Sequence, residues 1–261
     1  MTGTPGTPGG EIAGIPKLTI RYPTRRDAIE ALLPPGMQPW GEPEVQVGIY
    51  CVPVNGEPEH GVSTKVPARW AGTEGWYTLG IGIDQESAIF ISRETNGQPK
   101  FPCEVRYFRL GERIEASCTH QGYTFLTYSG TVSTAGEAGG DIGGDEWWIK
   151  VSRAVGGPGD ADDRRGAARY DFPPHVVRVH TEGTAVAVEQ LQGDLQLNDS
   201  PWDPYTELLP MTGKPSACLV TSRFTARSIT LDGPLDPEGF WPHADTIGGS
   251  RWPGLRGGPR R

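Results

Sequence analysis

From Lys17 to Tyr22 the chain reads Lys-Leu-Thr-Ile-Arg-Tyr, apolar and polar in turn, and stretches with this period of two recur as far as Leu231. Such a period puts successive side chains on opposite faces of an extended strand, whereas a helix needs apolar residues about every 3.6 positions. Strands are predicted over Lys17–Tyr22, Glu44–Val54, Trp76–Ile83, Cys103–Leu110, Arg113–Thr119, Tyr123–Ser133, Glu146–Ala154, Val176–His180, Thr184–Leu197 and Ala217–Leu231. The 37 glycines and 25 prolines interrupt these runs and deny the chain long helices. Arg25–Leu33 reads as a helix, with Ala28, Ile29, Leu32 and Leu33 on one face before Pro34-Pro35, and Ser87–Ile91 fits either strand or helix. No strand–helix alternation of the nucleotide-binding kind is present. The expected fold is mainly β, an α+β chain with few short helices, built as an antiparallel β-cone or closed barrel that encloses an active site.

Turns and loops divide the chain further. Asn96-Gly97 marks a turn, and Leu110-Gly111-Glu112 is tight enough for a hairpin. Asn55–Val66, which carries Glu57, Glu59 and His60, reads as a polar loop, and the Gly-rich stretches Ala135–Asp145 and Gly156–Arg169 read as mobile loops. One domain over residues 14–253 is expected, with a flexible segment over 1–13 before it and a disordered basic tail over 254–261 after it.

A net charge of −8 with scattered arginines argues against a nucleic-acid partner, because phosphate binding needs a concentrated basic surface. No run of about 18 apolar residues offers a membrane span, and Met1–Gly10 lacks the basic start and apolar stretch of a signal peptide, so a cytoplasmic protein is expected. Cys51, Cys103, Cys118 and Cys218 lie far apart in strand-like surroundings and read as reduced core residues. His60, His120, His175, His180 and His243 show no paired ligand spacing, so no metal site is expected. Gly80-Ile81-Gly82 lacks the third glycine and following helix of a dinucleotide fingerprint, and no Gly-x-Ser-x-Gly elbow is present. Chemistry without metal or organic cofactor is the expectation.

That turns attention to the lysines, of which there are five: Lys17, Lys65, Lys100, Lys150 and Lys214. A lysine amine attacks a carbonyl only when neutral, and an ordinary pKa near 10.4 leaves about one molecule in a few thousand uncharged at pH 7. Burial in an apolar pocket or a nearby cation raises that fraction. Lys100, between Pro99 and Phe101-Pro102 and directly before a strand, is the lysine best placed to be desolvated, and its prolines stiffen the backbone that aims it.

Ser92-Arg93-Glu94 followed by Gly97-Gln98-Pro99-Lys100 resembles the Gly-Arg-Glu…Pro-Lys-Lys segment of the acetoacetate decarboxylase family, whose first lysine of the pair forms a Schiff base. The handling of such a lysine by desolvation or a cationic neighbour is the established account for that family. Leu18–Thr24, Leu33-Pro34-Pro35-Gly36, Trp76–Asp84 with Ala88-Ile89, Phe172-Pro173-Pro174 to Gly183, and Asp199-Ser200-Pro201 to Leu208-Leu209-Pro210 are similar to family segments in the same order. The resemblance implies a β-cone around Lys100, a keto acid substrate held as an imine, and assembly into a homo-oligomer. It also exposes departures. Phe101 stands where the family has its second lysine, Ala13-Gly14-Ile15-Pro16 offers no counterpart to an arginine before the opening strand, and Gly61 falls where a glutamate is expected, leaving Glu59 or His60 as stand-ins.

On this reading Lys100 is the imine-forming residue, with Arg93 and Glu94 as charge tuner and proton handler. The commoner role of an Arg–Glu pair is to stabilise a turn or an interface. Gln98, Phe101, Glu59, His60 and Trp76 are candidate substrate contacts. For Gln98 the commoner role is a hydrogen bond to the loop backbone, and for Trp70, Trp76, Tyr77, Trp147 and Trp148 it is ordinary core. Three functions follow: a decarboxylase-like lyase on a keto acid, an aldolase-dehydratase or cyclase of secondary metabolism that adds an aldehyde co-substrate to the same imine, or a noncatalytic barrel that binds a small molecule.

Overall fold

The computed structural model describes residues 16–54, 56–155, 169–244 and 252. The flexible segment, the basic tail and most of the 156–169 loop expected from the sequence lie outside them. In chain order the elements are β1 (Pro16–Pro23), α1 (Arg26–Glu30), β2 (Gln38–Pro39), β3 (Glu44–Val54), β4 (Glu57–Trp70), β5 (Thr73–Ile83), α2 (Glu86–Asn96), β6 (Lys100–Pro102) and β7 (Glu104–Leu110). They continue with β8 (Arg113–His120), β9 (Tyr123–Ala135), β10 (Asp141–Arg153), β11 (Tyr170–Leu197), α3 (Tyr205–Leu208), β12 (Ser216–Pro234) and α4 (Pro237–Ala244).

Strand pairing closes on itself. The order β10-β5-β4-β3-β1-β12-β11 returns to β10 through a β10–β11 pairing, so these strands form a ring, and β9, β8 and β7 extend from β11 as a wing. All ring pairings are antiparallel except the seam between β10 and β5, which runs parallel over Asp145–Trp147 against Gly75–Tyr77. The antiparallel barrel expected from the sequence is present, with two parallel pairings that the sequence did not signal: that seam and β6, which pairs in parallel with Ile81–Ile83. Both strands reach β5 after long crossovers rather than by a hairpin, and a crossover can bring a strand back in the same direction. Tight turns drive the antiparallel remainder. Ala71-Gly72 and Gln121-Gly122 each have two successive positive φ values, the geometry a two-residue hairpin needs to match strand twist.

Alternation sorts the side chains of the ring onto two unlike faces. Leu18, Ile20, Tyr22, Val45, Val47, Ile49, Val62, Val66 and Trp147 point outward into the main core, which the wing completes with Val105, Ile114, Cys118, Phe125 and Leu126. The helices add Ile29, Tyr205 and Phe240 to it. Their strand neighbours Lys17, Arg21, Tyr50, Glu59, Lys65, Glu146 and Trp148 have the opposite parity and face inward. Contacts that skip strands place this second face inside the ring. The Arg21 guanidinium of β1 lies 5.5 Å from the Trp76 ring of β5, with β3 and β4 between them in the sheet. Lys65 of β4 likewise reaches Glu146 of β10 past β5.

The polar loop expected over Asn55–Val66 is instead strand from Glu57 onward, the greater part of β4. Its polarity reflects the face it presents, since Glu59, Ser63 and Lys65 line the ring interior. Asp141–Asp145, expected within a mobile loop, begins β10, where Gly143 takes a φ of 130° close against the Thr181 carbonyl. The ambiguous Ser87–Ile91 run is helical and belongs to α2, which extends to Asn96 and ends on Gly97 at a φ of 66°, the left-handed C-cap that glycine adopts without strain. Val176–His180 and Thr184–Leu197 join into the single long strand β11. All four cysteines are free, with Cys103 and Cys118 buried.

Candidate active site

Lys100 opens β6, and both ends of that short strand are fixed. The Ile81 amide donates to the Pro99 carbonyl at 3.0 Å, and the Cys103 amide donates to the Ile83 carbonyl at 2.9 Å. One guanidinium nitrogen of Arg93 donates to the Lys100 carbonyl at 2.8 Å. α2 lays Ile89 against Ile81 and Ile83, the face of β5 that continues into Lys100. The lysine is 7% exposed, and its Nζ lies 3.4 Å from Oε2 of Glu59, itself 4% exposed. A buried amine beside a carboxylate that can take and return its proton is the minimal equipment for imine formation.

The other predicted residues separate around this pair. Strand alternation turns Phe101 away from Lys100 into the main core, 5.0 Å from the ring of His120. It is therefore a packing residue and not a lining group. The same alternation distinguishes Glu59 from His60, whose Nδ1 lies 2.9 Å from Oδ2 of Asp84 on the opposite face of β4. Arg93 and Glu94 are exposed on α2; Arg93 acts on the Lys100 backbone, and the Glu94 carbonyl accepts from Lys150. Glu94 is thus not brought to the amine, because the sequence segment that carries it is a helix whose outer side it occupies. Gln98 contributes through its backbone, accepting from the Lys100 amide at 2.7 Å and donating to the Ser92 carbonyl at 3.3 Å. Trp76 lies at the Arg21 end of the ring interior.

Sequence reasoning missed much of the inner face of the ring. Glu146 of β10 accepts from Lys65 Nζ at 2.5 Å, Thr78 Oγ1 at 2.5 Å and Trp148 Nε1 at 2.7 Å. Burial alone would raise its carboxyl, but the Lys65 ammonium and these hydrogen bonds prevail and hold it at about 2. Tyr50 lays its ring over Gly61, where a methyl group would meet the hydroxyl at 2.4 Å. Burial, with the Glu59 and Glu146 carboxylates nearby, holds the Tyr50 phenol far above its usual range, so it remains a proton donor. Two glycines on the inner wall were the available signal: Gly48 and Gly61 fall at inward positions of otherwise substantial strands, which marks space used by other side chains. Among the described residues no group of three His, Cys, Asp or Glu side chains is arranged to hold a metal ion.

A closed strand ring with amines and carboxylates on its inner face and its hydrophobic core outside is the frame on which these residues meet. The chain belongs to the acetoacetate decarboxylase family, whose profile matches residues 5–233. No curated protein matches it. Among solved structures it is similar to an acetoacetate decarboxylase at 16% identity and a TM-score of 0.71, covering 88% of this chain and 93% of the other. It is also similar to the acetoacetate decarboxylase of Legionella pneumophila at 16% identity and a TM-score of 0.68, covering 86% of each chain. The enduracididine biosynthesis enzyme MppR in complex with pyruvate matches at 13% identity and a TM-score of 0.61, covering 82% of this chain and 88% of that one. At these identities the likeness speaks for the fold. Membership in the family makes the chain a lyase-like enzyme of the acetoacetate decarboxylase type. Among the described residues no helix is long and apolar enough to cross a membrane.

Proposed function

We propose that the chain is a Schiff-base-forming lyase that acts on a keto acid through an imine at Lys100. The observation that carries this reading is the buried Lys100 amine facing Glu59 at 3.4 Å inside the ring. Glu59 takes a proton from the ammonium, and the neutral amine adds to the keto carbon. The resulting hydroxyl leaves as water with the proton that Glu59 returns, and a protonated imine remains. That cation draws electrons from the adjacent carbon. In a β-keto acid the carbon–carboxylate bond then breaks and carbon dioxide departs, leaving an enamine. In a pyruvate-like acid a proton leaves instead, and the enamine attacks an aldehyde.

The aldol outcome is the second reading. It is favoured by phenylalanine at position 101 in place of a second lysine, and by the likeness to MppR, known in complex with the condensation product of pyruvate and imidazole 4-carboxaldehyde. The test is intact-protein mass after borohydride reduction with acetoacetate and, separately, pyruvate, in wild type and Lys100→Ala. An adduct that disappears in the variant supports the imine. Release of carbon dioxide against consumption of an added aldehyde then separates the two outcomes. An adduct that survives in Lys100→Ala, or none with either acid, sinks the assignment of Lys100, and the second result favours a binding barrel.

A further inference from the structure

Lys100 shares the ring interior with other amines, and one of them lacks a partner. Lys17, near the start of β1, sends its side chain across Gly48 of β3. A methyl group at Gly48 would lie 2.1 Å from Lys17 Cε and 2.5 Å from its Nζ, so the absence of a side chain there is what admits the amine. The same point lies 3.0 Å from Ser63 Oγ on β4, which places the amine over the inner wall. Among the described residues no hydrogen bond or ion pair holds this ammonium.

Its surroundings are those that make a lysine nucleophilic. The charged groups that bear on it are Lys65 from β4, a second cation, and Glu146 from β10. Glu146 is already engaged by Lys65, Thr78 and Trp148, so it does not need Lys17 as a counterion. Tyr50, the inward neighbour on β3, stays neutral. Burial first, and Lys65 second, lower the Lys17 amine to about 8 despite the opposing pull of Glu146. Desolvation and a neighbouring cation are the two general ways to free an amine for attack.

We propose that Lys17 is a second carbonyl-reactive amine of the chamber, able to form an imine with a small aldehyde independently of Lys100. This rests on the reading of the chamber as an imine-forming site and enlarges it from one amine to two. The nitrogen lone pair of Lys17 forms a bond to the aldehyde carbon, and the carbonyl π pair moves to oxygen. The nitrogen loses a proton, oxygen gains protons from solvent, and the carbon–oxygen bond breaks to release water and leave the carbon–nitrogen double bond. No oxidant or reductant is involved. A chamber with two such amines suits a reaction that joins two carbonyl compounds.

The test uses wild-type protein, acetaldehyde and cyanoborohydride, with peptide mass mapping of every lysine across a pH series. Lys17 is expected to be alkylated at least tenfold faster than Lys150 and Lys214 near pH 8, and to lose that advantage in urea. Gly48→Ala, whose methyl would take the space of Cε, is expected to reduce labelling at Lys17 selectively. Labelling of Lys17 no faster than the other two lysines in the folded protein would overturn the proposal. Because mapping is by site, keto acid trapped at Lys100 with Lys17 unlabelled would sink this inference and leave the proposed function standing, whereas labelled Lys17 with no keto acid at Lys100 would do the reverse.

Discussion

Glu59 Oε2 and Lys100 Nζ lie 3.4 Å apart although 41 positions separate them, because β4 and β6 flank β5 and send these side chains to the same face. Both are nearly enclosed, with side-chain exposures of 5% and 9%. A buried pair of this kind stands at the meeting of stability and chemistry, since each member needs the other to be buried at all.

Glu59→Gln should therefore act twice. It leaves the Lys100 ammonium without a counterion at a cost of about 3 kcal/mol in urea unfolding. It also removes the proton carrier, and adduct formation with keto acid under borohydride should slow by roughly a hundredfold or more. A variant that traps keto acid at the wild-type rate would remove Glu59 from the chemistry.

Acid should weaken the fold through Glu146. Its folded-state pKa of about 2 lies below the ordinary value of 4.5, so the stability it contributes is present above about pH 4.5 and is lost as pH falls toward 2. The shift corresponds to roughly 3 kcal/mol. Chemical denaturation between pH 6 and pH 2 should show this loss in wild type and a shallower one in Glu146→Gln. Equal slopes would mean that Glu146 is not the group responsible.

Lys17 gives the opposite limb. Its pKa of about 8 is depressed from 10.5, so below pH 8 the folded state carries a partly desolvated charge that the unfolded chain solvates freely. Between pH 8 and 10.5 the folded protein has shed that proton and the unfolded chain has not, so stability rises with pH, by roughly 2 to 3 kcal/mol in total. Lys17→Met should be more stable than wild type at neutral pH and should lack the alkaline rise. A rise retained in the variant would assign it elsewhere.

Gly97 joins α2 to the strand that carries Lys100. At a φ of 66° with the Ile149 carbonyl oxygen 2.4 Å from where a methyl would sit, it admits no side chain without movement of backbone. Gly97→Ala should cost about 2 kcal/mol and shift β6, lowering the rate of trapping at Lys100 more than a surface change of equal size would. Unchanged melting and trapping would show that the turn adapts.

Much of this architecture is legible in the sequence because period-two alternation reports any strand with one wet and one dry face. Glu44–Val54 is read to the residue on that basis. β4 is missed because Pro58, Glu59, His60 and Gly61 resemble a loop when polarity is taken to mean solvent. Here polarity means the inner face of a closed ring, and no local pattern distinguishes the two. The Pro-Lys-Phe-Pro stretch points to Lys100 through its neighbours in sequence. Lys17, Lys65 and Glu146 sit among unremarkable strand residues, and their convergence exists only once β1, β4 and β10 close into a ring. The fate of Phe101 shows the complementary error, since adjacency in sequence along a strand means separation across it.

The parallel seam between β5 and β10 bears on how the protein is made. One half of the ring, β1 with β3, β4 and β5, lies within residues 16–83, and the other, β10 with β11 and β12, within 141–234. Each half can zip up through near neighbours, but β1 meets β12 and β5 meets β10 only by closing loops of great length, and pairings of that kind form late. A refolding chain should acquire most of its sheet signal before Lys17 gains its advantage over the other lysines toward aldehydes. The interval between those two events would time the moment at which an ordinary pair of meanders becomes a vessel.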